Sequence, residues 1–459
     1  MNAIFTIVLV ALGLALVGTT IIWVLQQRRS PQSALAWILF VLTLPYVGVP
    51  LFYALGVRKR GARYAPLSFR PAPEPGPPLH PVEDHLRRLD VPAATAANTM
   101  ALDADASQAR TSLKRLIAEA ETSLEIALYR LDPDAYSREF VSWLTEAARR
   151  GVEVRLILDQ FGTLRRPQKA LKHLHEAGGQ IEMFSPIARL AATGRLNLRN
   201  HRKLLIADGA RLWTGGRNVG ASYLGSPGAS GTWTDLSLVI EGPVVARYRE
   251  VFEADWAKET NSPPRPVADV PDVPDAQGGA ALQLVPSGPD MVHDALHDAL
   301  VHAIHRADRR VWNATPYFLP TAQLQHALIT AARLGRDVRL MIPARSNQWF
   351  ADFARGAYVR HLEEAGCIVL RYGAAQGRRM LHAKAAVIDD MALAGSANFD
   401  VRSMLLNFET ALAMYDSSSV ARLADWFTAQ EAACTPGTLP ATLPRRVAEA
   451  VFRLGAPIL

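Results

Sequence analysis

The chain has 459 residues, 49% of them hydrophobic, and a formal charge of +7. That length exceeds one ordinary core and favours two domains. Residues 1–60 carry Arg28, Arg29, Arg58, Lys59 and Arg60 and no acid, so +5 of the +7 lies there. The remaining +2 argues against a broad nucleic-acid-binding face, and two cysteines, Cys367 and Cys434, exclude a disulfide framework or a CxxC metal site.

The first element is the uncharged run Ala3 to Leu25, long enough as a helix to cross a bilayer. No basic region precedes it, so it does not read as a cleaved signal. A second apolar stretch, Ala34 to Val57, contains Pro45 and Pro50. It reads either as a second span or as a kinked re-entrant or interfacial segment. Arg28 and Arg29, then Arg58, Lys59, Arg60 and Arg63, put the C-terminal part on the cytoplasmic side under either reading.

Residues 61–100, with "YAPLSFRPAPEPGPPLHP", read as a proline-rich linker, and a second break runs from Asn261 to Gly279. The expected organisation is an anchor over 1–60, domains over 101–262 and 277–459, and a short linker over 263–276. "SLEIALY", "VEVRLIL", "RVWNATPYF" and "DVRLMI" read as strands. Phe140 to Arg150 and Ala354 to Ala365 have helical periodicity. The alternation predicts layered α/β domains with a mixed or largely parallel sheet.

The two segments are one unit written twice. "AARRGVEVRLILD" (147–159) matches "AARLGRDVRLMIP" (331–343), and "HLHEAGGQIEMF" (173–184) matches "HLEEAGCIVLRY" (361–372). "HRKLLIADG" from His201 matches "HAKAAVIDD" from His382, and "GGRN" (215–218) matches "GSAN" (395–398). A duplicated domain is expected to pack about a pseudo-two-fold axis and to share a site.

His201 and Lys203 are two apart, as are His382 and Lys384, so each pair faces one way on an extended chain. Gly216 and Asn218, and Ser396 and Asn398, lie in small-residue turns that let donors approach an anion. Face to face, the copies gather two histidines, two lysines and two asparagines around one phosphate-sized anion. One neutral imidazole attacks phosphorus and a protonated one serves the leaving oxygen, with no metal or cofactor required. Asp235 in "WTD" and Glu409 in "NFE" are the candidate acidic partners, each following the Asn-bearing turn of its own copy. Asp208 and Asp389 complete the repeated pattern and are counted with the candidate catalytic set, although their place in a turn gives them a mostly structural role.

These paired motifs resemble the HKD motifs of the phospholipase D superfamily. Over nearly its whole length the chain is similar to bacterial cardiolipin synthases, through "RNHRKLLIADG", "TGGRNVG", "WTDLSLVIEGPVV", "VPSGPD", "TPYFLP", "LHAKAAVIDD" and "AGSANFDVRSMLLNFE". The resemblance implies two phospholipase D-like α/β/α layered domains with a shared active site, anchored in the bacterial inner membrane. It implies phosphatidyl transfer between two phosphatidylglycerol molecules through a phosphohistidine, giving cardiolipin and glycerol. By position His201 would be the nucleophile and His382 the general acid and base; symmetry alone leaves the roles open. Thr234 departs from the family's frequent Arg, and Ala385 and Ala386 are smaller than usual. A phospholipase D using water or another alcohol, a nuclease, and a silent scaffold are the rivals. The low charge of the globular part disfavours the nuclease, and the complete His, Lys and Asn sets disfavour the scaffold.

Three features are set outside that site. His293 and His297 read as a solvated helix face rather than metal ligands, and His173 and His361 as structural helix positions. Tyr317 and Phe318 in "TPYFLP" read either as lining for a lipid entrance or as a core anchor. "PRRVAEAVFRLGAPIL" puts Val447, Val451, Leu454 and Ile458 roughly on one side, either to lie on an anionic bilayer or to pack back on the catalytic part.

Overall fold

The computed structural model describes residues 2–27, 31–56, 65–70, 76–184, 198–226, 231–270, 279–374 and 380–454. Contacts divide the chain into two compact units, one formed by 1–65 with 185–198, the other by 66–184 with 199–459.

In the first unit, helix Asn2–Gln26 is followed by helices Pro31–Thr43 and Pro45–Leu51 and a π-helical turn Phe52–Gly56. The second apolar stretch is thus broken at Leu44, where Pro45 opens a new helix, because a proline ring and its missing N–H interrupt the ladder. Val24, Val41, Val49 and Phe52 form its small core. Among the described residues no helix is long and apolar enough to cross a membrane. The basic flanks Arg28–Arg29 and Arg58–Arg63 lie outside the described residues.

The second unit is organised by one sheet. Its first-half strands are β1 Thr95–Asp103, β2 Ser123–Leu128, β3 Glu153–Asp159, β4 Gln180–Phe184, β5 Leu204–Ala207, β6 Arg211–Gly215 and β7 Ser237–Glu241. The second half has β8 Ala280–Ser287, β9 Arg310–Ala314, β10 Phe318–Leu319, β11 Asp337–Pro343, β12 Ile368–Tyr372 and β13 Ala385–Ile388. It continues with β14 Met391–Gly395, β15 Phe399–Asp400, β16 Glu409–Met414 and β17 Cys434–Pro436; β10 and β15 pair with each other in parallel, outside the main sheet.

From the centre outward the first half runs β1-β7-β6-β5-β2-β3-β4, and the second runs β8-β16-β14-β13-β9-β11-β12 with β17 added at its edge. The order is the same, so the duplication read from the sequence is a duplication of topology. The halves join through the antiparallel pair β1–β8. They therefore share one continuous mixed sheet, parallel over β2-β3-β4 and β9-β11-β12 and antiparallel elsewhere in each repeat. The span read as a linker over 61–100 is shorter than expected. Helix Pro81–Arg87 and the start of β1 fall inside it, because "TAANTMALD" pairs with both β7 and β8.

Helices cover the sheet as their periodicity requires. Ala135–Arg149 is capped by Asp134, whose side chain accepts from Ser137 N–H at 2.9 Å. It buries Phe140, Val141, Leu144 and Ala147. Each large apolar side chain removed from water in this way contributes roughly 1.5–3 kcal/mol. Helix Gly356–Glu364 does the same in the second half with Val359 and Leu362. His173 and His361 are exposed on their helices. His297 is not on a solvated face: it is buried and its Nε2 is 2.8 Å from Thr321 Oγ1, a polar partner supplied from outside its own helix. Among the described residues no group of three potential ligands could hold a metal ion. Phe318 is a core anchor, wholly buried, while the hydroxyl of the half-buried Tyr317 donates to Asn347.

Candidate active site

His201 and His382 do not lie within the regular strands. Each sits three residues before one, β5 or β13, on an extended segment that pairs with the opposite half. His201 N–H donates to Phe408 O at 2.8 Å, and Phe408 N–H returns to Arg199 O at 3.0 Å. His382 N–H donates to Thr234 O at 2.7 Å, and Thr234 N–H returns to Met380 O at 2.8 Å. The next residue after Phe408 is Glu409, and the next after Thr234 is Asp235. These backbone bridges thus deliver each acid to the histidine of the other half.

The side chains follow. His201 Nδ1 is 2.9 Å from Glu409 Oε2, and His382 Nδ1 is 2.5 Å from Asp235 Oδ2. The expected carboxylate partners are present, but they are crossed between the copies rather than kept within each. A carboxylate at Nδ1 fixes the tautomer with the proton on that nitrogen and leaves Nε2 as the reactive atom. All four groups are buried.

The turn residues support the acids. Serine 396 donates its hydroxyl to Glu409 Oε2 at 2.5 Å. A Cβ at Gly216 would collide with the Asp235 carboxylate, so glycine is needed there for the shorter acid to sit. Asn218 Oδ1 accepts from Arg130 N–H at 3.1 Å. Asn398 is buried and its Oδ1 has no hydrogen-bond partner among the described residues.

Lys203 and Lys384 are buried beside the imidazoles. Lys203 Nζ donates to His201 O at 2.7 Å, and Lys384 Nζ lies 2.8 Å from His382 Nδ1. Burial pushes Lys203 down to about 7, against the pull of Glu409, and the charge of Lys384 adds to the fall. Burial likewise pushes Lys384 down to about 8, against Asp235 and Glu409. The two lysines act on each other and on both histidines, so the motifs converge on one electrostatic centre. Burial lowers His201, opposed by Glu409; burial and the Lys384 charge push His382 down to about 3. Both carboxylates are held below their ordinary range: desolvation opposes ionisation, but the lysine and histidine beside each outweigh it. The resting site therefore holds neutral imidazoles beside ionised acids and cationic donors, which is what nucleophilic attack on a phosphodiester requires.

Asp208 and Asp389 do not join this cluster. Asp208 accepts from the backbone N–H groups of Glu121, Thr122 and Ser123, and Asp389 from those of Asp308, Arg309 and Arg310. Both have left-handed backbone, φ 53° and 48°. Each ties a hairpin turn to the start of the neighbouring strand, β2 or β9, which makes it a brace for the motif-bearing strand.

Other residues at the site lie outside the paired His, Lys and Asn motifs. Tyr129, just past β2, stacks edge-on to His201 at 4.6 Å, while Tyr223 and Trp233 flank His382 at 5.3 and 5.1 Å. Thr234 Oγ1 is 2.7 Å from Tyr372 OH, which ties the acid-bearing segment of one half to β12 of the other. Position at the end of a strand was the available signal for Tyr129. Tyr372 ends the matched segment 361–372, but Tyr223 and Trp233 sit in single-copy context, where pattern matching between repeats is blind.

Residues 113–256 and 300–430 match the family described as cardiolipin synthase, PLD-like domain, and residues 15–56 match the phospholipase D-nuclease N-terminal family. The chain is 34% identical to the major cardiolipin synthase ClsA of Bacillus subtilis, covering 75% of this chain and 72% of that one. It is 30% identical to cardiolipin synthase A of Shigella boydii over the full length of both. Among solved structures, phosphatidylserine synthase of Haemophilus influenzae aligns with a TM-score of 0.65 at 14% identity, over 83% of this chain and all of that one, a likeness of fold.

Proposed function

The chain belongs to the cardiolipin synthase family of phospholipase D-like enzymes, and from that premise we propose how its own residues carry the phosphatidyl transfer. The substrates are phospholipids, and the reaction converts two phosphatidylglycerol molecules into cardiolipin and glycerol. The observation that carries the residue assignment is the crossed pair of buried His–carboxylate dyads, His201–Glu409 and His382–Asp235.

His201 Nε2 attacks the phosphorus of the first phosphatidylglycerol. The phosphorus–oxygen bond to the headgroup glycerol breaks, and that oxygen takes a proton from His382 Nε2. The incoming phosphodiester brings negative charge that favours the His382 imidazolium just when an acid is needed. The headgroup hydroxyl of a second phosphatidylglycerol then gives its proton to His382 and attacks the phosphatidyl-histidine. Lys203, Lys384, Asn218 and Asn398 face the growing charge on the non-bridging oxygens. Glu409 and Asp235 hold the rings and offset the imidazolium charge.

The N-terminal segment, with its uncharged helix Asn2–Gln26, serves as the membrane anchor. Phe5, Ile7, Leu12 and Leu14 are outward-facing and apolar on it. A tethered active site meets its lipid without extracting it into water. The basic flanks of the N-terminal segments support a cytoplasmic catalytic part at the inner membrane.

Product analysis tests this reading. Purified protein in detergent, given phosphatidylglycerol alone, yields cardiolipin and glycerol, and the His201→Ala variant yields neither. Phosphatidic acid as the sole lipid product would instead make water the acceptor and the chain a phospholipase D.

A further inference from the structure

Away from the dyads, helix Leu443–Leu454 packs on helices Trp349–Ala354 and Gly356–Glu364. Its seat is Glu449, which is buried and pairs with Arg445 Nε at 3.0 Å and Arg360 at 2.5 Å. Gly356 leaves the room, since a Cβ there would collide with that carboxylate. Phe452 closes the contact against Trp349 and Phe353 at 5.3 and 5.5 Å.

Beside this seat is a cavity of about 400 Å³. Five arginines line it, Arg345, Arg355, Arg360, Arg371 and Arg445, against two acids. Arg355 is only 7% exposed. One of its terminal nitrogens donates to Pro343 O at 2.7 Å and pairs with Asp352 at 3.0 Å. The other, Nη1, is buried with no hydrogen-bond partner among the described residues. A buried guanidinium donor that no protein acceptor among the described residues satisfies, in a cationic cavity, is suited to an anion.

The outer face of the same helix is apolar where a surface helix should be polar. Leu443, Val447 and Val451 are 75%, 56% and 59% exposed and spaced by four, so they form one stripe. Trp349 and Leu439 are exposed apolar side chains on the cavity rim, and Arg446 and Arg453 are exposed on the helix. The helix thus does both things its sequence allowed: it packs back, and it leaves an apolar stripe outward.

We propose that this corner of the second half docks on an anionic phospholipid surface. The stripe enters the boundary between headgroups and acyl chains, and a lipid phosphate occupies the arginine cavity. The cavity shares no residue with the His, Lys and Asn set, so this lipid is not the one being cleaved. The docking requires a bilayer but no turnover.

The test uses the full chain carrying His201→Ala, reconstituted in phosphatidylcholine discs and in equimolar phosphatidylcholine–phosphatidylserine discs, with amide hydrogen exchange as the readout. Amides of 443–454 and 349–360 exchange about tenfold more slowly in the anionic discs. A Val447→Ser, Val451→Ser variant, altered only at exposed positions, loses that slowing while exchange elsewhere is unchanged. Equal exchange in the two discs overturns the proposal. So does full slowing by inorganic phosphate in detergent, which would make the cavity a site for a soluble anion. Failure of the wild-type chain to make cardiolipin would overturn the catalytic reading and leave the exchange result standing.

Discussion

Behind the two histidines the repeats use opposite physics. On the His201 side the neighbours are polar and charged to the core. Asn200 donates to Asp159 through its N–H at 2.8 Å and to Asp255 through Nδ2 at 2.9 Å. Arg202, wholly buried, pairs with Asp255 at 2.8 Å and Asp290 at 2.6 Å. On the His382 side the same positions are Leu381 and Ala383, both wholly buried and apolar. One histidine is aimed by directed bonds, the other by packing. The dyads differ to match: a long Glu with a serine hydroxyl behind it on one side, a short Asp over a bare glycine on the other. Equivalent geometry was kept while its means diverged, so the two sites should break differently.

The largest effect lies at the imidazoles themselves. His201→Ala and His382→Ala each reduce phosphatidyl transfer by about 10⁴-fold or more. Intact-mass analysis separates them: an adduct of phosphatidyl mass accumulates in the His382 variant and never in the His201 variant. The reverse pattern would exchange the two roles.

Next comes the anchor behind His201. Arg202→Met leaves two buried carboxylates uncompensated and costs about 3–5 kcal/mol in denaturant unfolding. Leu381→Ala, its apolar neighbour's test in the other half, costs about 2–4 kcal/mol by opening a cavity. A much smaller loss at Arg202 would mean the charged network is not what fixes that segment.

Crossing of the acids gives the third. Glu409→Gln slows the step at His201 about a hundredfold, and Asp235→Asn slows the step at His382 similarly, read by single-turnover formation and breakdown of the adduct. Pairing within each half predicts the opposite assignment.

The fourth is a pH profile. A lysine whose folded value is lowered gives up its proton earlier than in the unfolded chain. Lys203, at about 7, and Lys384, at about 8, therefore lose charge as pH rises through that window. With that charge goes phosphate binding, so kcat/KM falls about tenfold between pH 7 and 9. The sign is opposite for stability: the buried lysines disfavour folding while the unfolded lysine stays protonated and the folded one does not, so stability rises with pH from about 7 toward the ordinary value near 10.5.

The smallest concerns the braces. Asp208→Asn weakens three backbone hydrogen bonds and costs about 1 kcal/mol of stability, while kcat changes less than about threefold. A large loss of kcat in a folded variant would return Asp208 to the chemistry.

What the sequence made legible follows from what repeats. His201, Lys203, Asn218 and their partners are written twice, and the strand order is doubled with them. The acids were legible as types, but their crossing was not. It depends on bridges between residues roughly 150 to 200 positions apart, and local pattern carries no information about those pairings. β1 was hidden because "TAANTMALD" is weakly apolar and gains its place from β7 and β8 on either side. Arg202, Asp255 and Asp290 were invisible for the converse reason: their neutralisation exists only in three dimensions, and nothing in the second copy echoes it.

The crossed dyads also bear on inheritance. Each half supplies the other half's carboxylate, so neither can lose function alone. On the proposed assignment, a lesion at codon 409 impairs the imidazole encoded two hundred codons upstream, and one at 235 impairs its counterpart downstream. The gene behaves as a fused pair of mutually dependent partners, and the two halves are bound to descend together.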